Sequence, residues 1–292
     1  MTSAAQHRIR VGPFVYDVHA GVPVAREGLA TLYADFPRAG ETAFVDFNVG
    51  IRPHRALWPR RRQADFCFDQ RPTFAPVQSR HAFATLEWGM NWCVSTHCNS
   101  FLNLHAGAVA RNGQALVMPG VPGAGKSTLC ALLGLSGWRV LTDENALITP
   151  GRAEVVPLYR PVSLKNASIE RIRERFPDAV FGPPAHDTHK GTVTHLKADR
   201  HPDTFATEPL PVRALVFPEY ASGRPQRLSR ADKAHSFLIA AYHSFNYSLL
   251  GEAGFHAMRA LVDSLPCYTL CYHDMDWALR AFDLIADGGR PP

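Results

Sequence analysis

Residues 120–127 read Gly-Val-Pro-Gly-Ala-Gly-Lys-Ser, a complete G-x-x-x-x-G-K-S loop between an apolar run and a helix-like run. In that setting the pattern calls for a strand, a tight turn and a helix in sequence, and so for an α/β domain around them. The glycines let the backbone curl until successive N–H groups face an anion. Lys126 then reaches the outer phosphates of a triphosphate, and the Ser127 hydroxyl can hold magnesium. On this reading Gly120, Val121, Pro122, Gly123, Ala124, Gly125, Lys126, Ser127 and Thr128 form a nucleotide site. The following helix begins at about Ser127 and turns its positive end toward the anion. The competing reading is a glycine-rich turn with an ordinary lysine.

A chain of 292 residues, 46% of them hydrophobic, is long enough for one large α/β domain or a catalytic domain with a smaller N-terminal module. Its formal charge of +5 is mildly basic. The Arg60–Arg62 run is too short to argue for nucleic acid and reads as a solvated loop. No apolar run approaches the roughly 20 residues of a membrane helix, so no membrane partner is expected. Cys67, Cys93, Cys98, Cys130, Cys267 and Cys271 follow a polar start without a signal-peptide core, which predicts reduced thiols in a cytoplasmic protein. Cys93 with His97 and Cys98, and Cys267 with Cys271 and His273, have apolar neighbours that favour packing over zinc.

The first stretch, residues 1–80, reads as a small β-rich N-terminal module. It has short β-like runs at Val11–Val18, Ala43–Ile51 and Ala64–Phe68, broken at Arg52-Pro53 and Trp58-Pro59. Residues 81–292 form the core, entered through an amphipathic linking helix over Ala82–Phe101 on which Glu87 is expected to be exposed. Leu104–Ala110 and Ala115–Pro119, joined by Arg111-Asn112-Gly113, form a hairpin that feeds the glycine loop. The helix after the loop ends at Ser136-Gly137, and Trp138–Leu141 is a strand delivering Asp143 and Glu144 at its carboxyl end. Strands are expected at Leu158–Leu164, Val212–Pro218 and Cys267–Cys271, and helices at Ser168–Phe176, Ala231–Leu250 and Asp274–Ala286. Phe181–His189 reads as a mobile loop near substrate. With His186, His189, Lys190, His195 and Lys197, the basic stretch to Lys197 either greets an acceptor or crosses solvent. Gly288–Pro292 is a frayed tail.

Phosphoryl transfer needs a metal anchor and a group that orients or deprotonates the acceptor. Asp143 and Glu144 supply both. In the simplest split Asp143 is the general base and Glu144 a direct or water-mediated metal ligand, with the reverse open. The alternative is a pair of exposed turn carboxylates. His105, taken alone, reads as a core histidine.

His105, the hairpin, the loop at Gly120 and the Gly-Trp-Arg-Val-Leu-Thr-Asp-Glu run at 137–144 together resemble the catalytic core of the bacterial HPr kinase/phosphorylase family. The resemblance implies an α/β fold with an HPr kinase/PEP-carboxykinase-like P-loop core and use of ATP with Mg2+. It also implies Asp143 as the base activating a serine hydroxyl, with His105 close to it. Leu-Glu-Trp-Gly-Met-Asn-Trp-Cys (86–93), Arg-Pro-Val-Ser-Leu-Lys-Asn (160–166) and Pro-Cys-Tyr-Thr-Leu-Cys-Tyr (266–272) resemble the offshoot called HPr kinase-related kinase A. That offshoot implies small peptide-chaperone and nucleotidyltransferase partners and leaves the acceptor open; the acceptor expected here is a serine of a peptide or small protein, and some self-association is expected. Arg160 and Lys165 fall where the parent family has basic residues near the phosphates; the alternative is a solvated strand edge. The chain departs from the parent in having Glu144 as the second acid, in its first hundred residues, and in lacking the later signature of the reverse, phosphorylase reaction. The expected activity is therefore transfer of the γ-phosphoryl group to a hydroxyl, probed against two alternatives, a small-molecule hydroxyl acceptor and a non-catalytic nucleotide-gated scaffold.

Overall fold

The computed structural model describes residues 5–54, 62–198 and 200–289. The Trp58-Pro59 step, Arg60 and Arg61, and the end of the tail lie outside the described residues. The chain opens with β1 (Ala5–Val11), β2 (Phe14–Ala20), α1 (Pro23–Leu32), β3 (Phe47–Pro53) and β4 (Gln63–Phe68). The short β5 (Arg71–Pro72) and β6 (Val77–Gln78) precede α2 (Ala82–His97). Next come β7 (Leu102–Arg111), β8 (Gln114–Pro119), α3 (Lys126–Leu135), β9 (Arg139–Thr142), β10 (Asn145–Ile148) and β11 (Glu154–Val156). These are followed by β12 (Val162–Lys165), α4 (Ala167–Arg175), β13 (Ala185–Thr188) and β14 (Gly191–Leu196). The chain closes with β15 (Leu210–Tyr220), β16 (Arg227–Arg230), α5 (Lys233–Tyr242), α6 (Tyr247–Ser264), β17 (Cys267–Tyr272) and α7 (Met275–Ala286).

The structure is mixed α/β and divides into two compact units. One runs from the N-terminus to Val94 and takes in Ser163–Lys197; the other combines Ser95–Val162 with everything from Ala198 onward. In the first unit the main sheet has the order β1-β2-β3-β4-β5, with β6 on β4. Only β2 and β3 are parallel, and α1 is the crossover that parallel pairing requires. Period-two alternation buries Ile9, Tyr16, Val18, Val49, Ile51 and Phe66 on one face. The linking helix packs closely in this unit, since a Cβ on Gly89 would stand 2.1 Å from the Phe66 ring.

The second unit holds an eight-stranded sheet of order β11-β10-β7-β8-β15-β17-β16, with β9 also on β7 and β11 pairing β15 as well. The Asn112-Gly113 turn has positive φ at both residues, 51° and 72°, as a two-residue hairpin demands. β8 lies antiparallel to β7 and parallel to β15. Helix α3 is buried on nearly all sides through Leu129, Cys130, Ala131, Leu132, Leu133 and Leu135, the pattern of a helix sunk in a core. Helix α7 is capped by Asp274, which accepts the Trp277 N–H at 2.6 Å, and it buries Phe282 edge-on against Trp138 at 6.0 Å. Burying that phenylalanine is worth roughly 1.5–3 kcal/mol.

Several expectations are corrected. The loop expected at Phe181–His189 is in part a strand: Ala185–Thr188 pairs antiparallel with Gly191–Leu196, in a three-stranded sheet of order β12-β14-β13. Asp187 and Gly191 adopt positive φ, 57° and 81°, so the turn lies in residues without hairpin-like alternation. Within it His195 is buried and stacks edge-on against Phe83 at 5.5 Å, so it does not stand in a solvated crossing. Glu87 is 2% exposed rather than solvated. The strand expected at Leu158–Leu164 shrinks to Val162–Lys165 because Pro157 and Pro161 lack the N–H a ladder needs. The helical stretch from Ala231 breaks at His243–Asn246, resumes as α6, and runs on to Ser264 with a kink at Gly251. The linking helix stops at His97, and the run at Val11–Val18 contains the Gly12-Pro13 hairpin turn. Five cysteines are buried and Cys271 is half-buried.

Candidate functional site

The glycine loop joins the end of β8 to α3, as the sequence pattern requires. Gly123 and Gly125 have φ of 90° and 95°, the left-handed region where a side chain is strained. The Lys126 ammonium donates to the carbonyls of Gly120 at 2.6 Å and Val121 at 3.1 Å. Lys126 is 6% exposed, its ammonium held against these loop carbonyls. The far side of the loop is gripped by two tyrosines at strand ends. The Tyr220 N–H donates to Ala124 O at 3.2 Å, and the Tyr272 hydroxyl donates to Gly125 O at 3.3 Å. The two rings meet edge-on at 5.5 Å. Tyr272 belongs to the 266–272 run, yet nothing in its local pattern marked it as a clasp.

The acid pair reaches the same place through a break in a ladder. β9 and β10 both pair along one stretch of β7, with Thr142 opposite Ala108 and Asn145 opposite His105. Asp143 and Glu144 sit between the two pairings. The Thr142 hydroxyl accepts the N–H groups of Glu144 at 3.2 Å and Asn145 at 3.1 Å, a local turn that lifts both acids out of the ladder. The Ala106 N–H donating to Glu144 O at 3.1 Å keeps the bulge against β7. Asp143 is buried and Glu144 half-buried, so they are not a pair of exposed turn carboxylates.

Gly107 and Cys130 link the acids to the loop. A Cβ on Gly107 would lie 2.7 Å from Cys130 Sγ and 3.9 Å from Lys126 Cβ, so the strand needs glycine there for α3 to approach. The Cys130 thiol donates toward Thr142 O at 3.6 Å. Burial raises its pKa well above the ordinary thiol value, the Asp143 charge raises it further, and Lys126 opposes both. Asp143 and Lys126 thus act on one buried, neutral sulfur beneath the loop.

His105 is the fourth residue of β7, and its N–H donates to the carbonyl of His243 at 2.7 Å. The two imidazole rings lie 6.4 Å apart, with Phe245 5.5 Å from His105. His243 was absent from the sequence-derived candidates. Its signal was the polar break Tyr-His-Ser-Phe-Asn in an otherwise helical run. Buried Asn246 fixes that break: its Oδ1 accepts the Asn103 N–H at 2.9 Å, and its Nδ2 donates to Phe101 O at 2.8 Å. Asn103 Nδ2 then donates to Asn145 Oδ1 at 3.1 Å, one residue past the acid pair.

Burial, and then the Lys126 ammonium, hold the His243 imidazole below the usual histidine value. In the window below about pH 6.5 the unfolded chain binds a proton that the folded chain refuses. The contribution of His243 to stability is therefore complete above that value and is lost as pH falls through the lower folded pKa. In His243→Gln the rise of unfolding free energy with pH across this window should flatten in denaturant titrations. An unchanged slope would assign the dependence to other groups.

Arg160 is buried two residues after Leu158, whose N–H donates to Leu141 O at 2.8 Å, so its backbone runs beside the end of β9. Lys165 is exposed and belongs to the other compact unit. Arg139, the arginine of the 137–144 run, is buried and donates to Ala206 O, which makes it a strut for the 200–208 segment. No family model matches this chain, and no curated protein matches it. Among the described residues no helix is long and apolar enough to cross a membrane.

Proposed function

We propose that this chain is an ATP- and magnesium-dependent kinase with a P-loop core of the HPr kinase/PEP-carboxykinase type. It transfers the γ-phosphoryl group to a hydroxyl, that of a serine in a peptide or small protein, in the cytoplasm. What supports this reading is that one compact unit holds the glycine loop with Lys126, a buried Cys130 on which both Lys126 and Asp143 act, and His243, on which Lys126 also acts and which accepts the His105 N–H.

Among the described residues no three His, Cys, Asp or Glu side chains form a self-sufficient metal site. The Ser127 hydroxyl and Glu144 would hold magnesium that arrives with a nucleotide, with Asp143 taking the ligand role only if Glu144 is the base. One or two carboxylates would suffice for that ion, its other sites falling to phosphate and water. When bound, it neutralises charge on the phosphates as the bridging bond breaks.

The remaining work falls to the chain itself. Loop amides and the α3 N-terminus cradle the phosphates, and Lys126 exchanges two carbonyls for phosphate oxygens. Asp143 accepts the proton of the acceptor hydroxyl as its oxygen bonds to the γ-phosphorus and the bond to the β–γ bridging oxygen breaks, leaving ADP. A neutral His243 is available to hold His105 and the acceptor without adding a second positive charge beside Lys126. Arg160 is the candidate for a further phosphate contact from this unit.

The test is incubation of purified protein with magnesium and γ-labelled ATP in an extract of its own cells, followed by mass spectrometry of labelled species. Label on a serine peptide supports the proposal, and label on a metabolite redirects it to a small-molecule kinase. Saturable ATP binding without any transfer would leave a nucleotide-gated scaffold. Lys126→Ala is expected to weaken ATP binding at least about tenfold in calorimetry, since the lost ammonium contact to phosphate is worth roughly 1.5–3 kcal/mol.

A further inference from the structure

The N-terminal unit carries a hollow on the polar face of its main sheet, away from the buried apolar face. Cavity volume is about 180 Å³, and His19, Asn48, Gly50, Arg52, Cys67 and Gln70 line it. Register explains the hollow. His19 on β2, Gly50 on β3 and Cys67 on β4 stand opposite one another in one row across three strands. Gly50 is the centre of that row, so the missing side chain leaves a pit between its neighbours. Asn48 and Arg52 flank Gly50 on the same face of β3, by the two-residue period of a strand.

The rim is made by a strained turn. Asp69 and Gln70 both have positive φ, 47° and 63°, without glycine at either place. Such backbone costs of order 1–3 kcal/mol per residue and persists where its surroundings hold it. Here the Asp69 N–H donates to Asn48 O at 2.9 Å, which folds Gln70 over the pit.

Among the described residues the acids of this face are already paired, and the cation at the hollow is not. Asp17 faces Arg8 at 3.7 Å and His19 at 3.6 Å, and Asp65 accepts from His54 at 2.8 Å. Arg52 stands opposite Asp65 in register, yet that carboxylate is taken by His54. Among the described residues no acceptor bonds the Arg52 guanidinium, and none of them partners the side-chain amides of Asn48 and Gln70. The Cys67 thiol is pushed up by burial and stays neutral, so the floor is apolar.

We propose that this hollow binds a small organic carboxylate. An arginine fork matches a carboxylate with two parallel hydrogen bonds, the amides of Asn48 and Gln70 supply flanking contacts, and the neutral floor accepts a short carbon body. The volume is close to that of a cavity that holds benzene, which limits the ligand to a short-chain acid or the head of an acidic amino acid. The site lies wholly within the N-terminal unit and does not depend on the proposed kinase reading.

The test is an amide and arginine side-chain NMR titration of the full chain with propanoate, with glutamate, and with inorganic phosphate. Saturable shifts at Gly50, Cys67 and the Arg52 side chain with a carboxylate, at least about tenfold tighter than with phosphate, are expected. Arg52 is exposed, so Arg52→Gln keeps the fold and should weaken that binding about tenfold or more. Gly50→Val should fill the pit and abolish the shifts, its thermal unfolding serving as the folding control. Equal affinity for phosphate, retained binding in Arg52→Gln, or no saturable shift at tens of millimolar would each overturn the proposal.

Discussion

Asn in place of Asp143 is expected to cut phosphoryl transfer by roughly 10²–10⁴-fold, the range attributed to a positioned general base. ATP affinity should change by no more than about threefold, because the lost charge acts on the acceptor proton rather than on the phosphates. The substitution preserves volume at a buried position but turns one acceptor oxygen into a donor amide, so thermal unfolding serves as the folding control. Single-turnover transfer measured beside nucleotide titration separates the outcomes. Equal losses in both would make Asp143 a metal ligand first and leave the base role to Glu144 or His105. Full activity in Asp143→Asn would remove the base from this site altogether.

The second large effect is expected at Gly125. An added methyl would stand 2.2 Å from the Tyr272 hydroxyl oxygen, on a residue whose φ is 95°. The backbone strain alone costs of order 1–3 kcal/mol, and the overlap must be relieved by moving the clasp or the loop. Gly125→Ala should therefore lower the melting temperature and abolish measurable ATP binding together. Tyr272→Phe in the same chain removes the overlapping oxygen but not the φ strain, so it should restore part of the stability. If Gly125→Ala binds ATP normally, the loop geometry is not what holds the phosphates.

The parts of this site that could be read from the chain are those written in adjacent residues. Asn112-Gly113 specified its turn because few residues other than glycine and asparagine tolerate positive φ. The 120–127 loop specified strand, turn and helix for the same reason, and Asp143-Glu144 followed an apolar run at a strand end. The errors occurred where tertiary contacts overrode local pattern. Residues 181–197 lack alternation, yet they pair because β12 and a left-handed turn at Asp187 offer them a ladder. Glu87 sits on a helix whose packing buries most of its residues, so no polar face was left to announce it.

Residue identity alone determined the glycine loop, its lysine and serine, and the acid pair, since backbone sterics and hydrogen-bonding capacity act over a few positions. Only the folded chain decided what meets them. Cys130 lies beneath Lys126 and Asp143 because Gly107 lets α3 touch β7, and Tyr272 clasps Gly125 from a strand far along the chain. His243 reaches His105 because buried asparagines pin a helix break onto β7. Contacts over such separations leave no periodicity in the sequence. They exist because burying the strands and α3 together outweighs the entropy of closing the long loops between them.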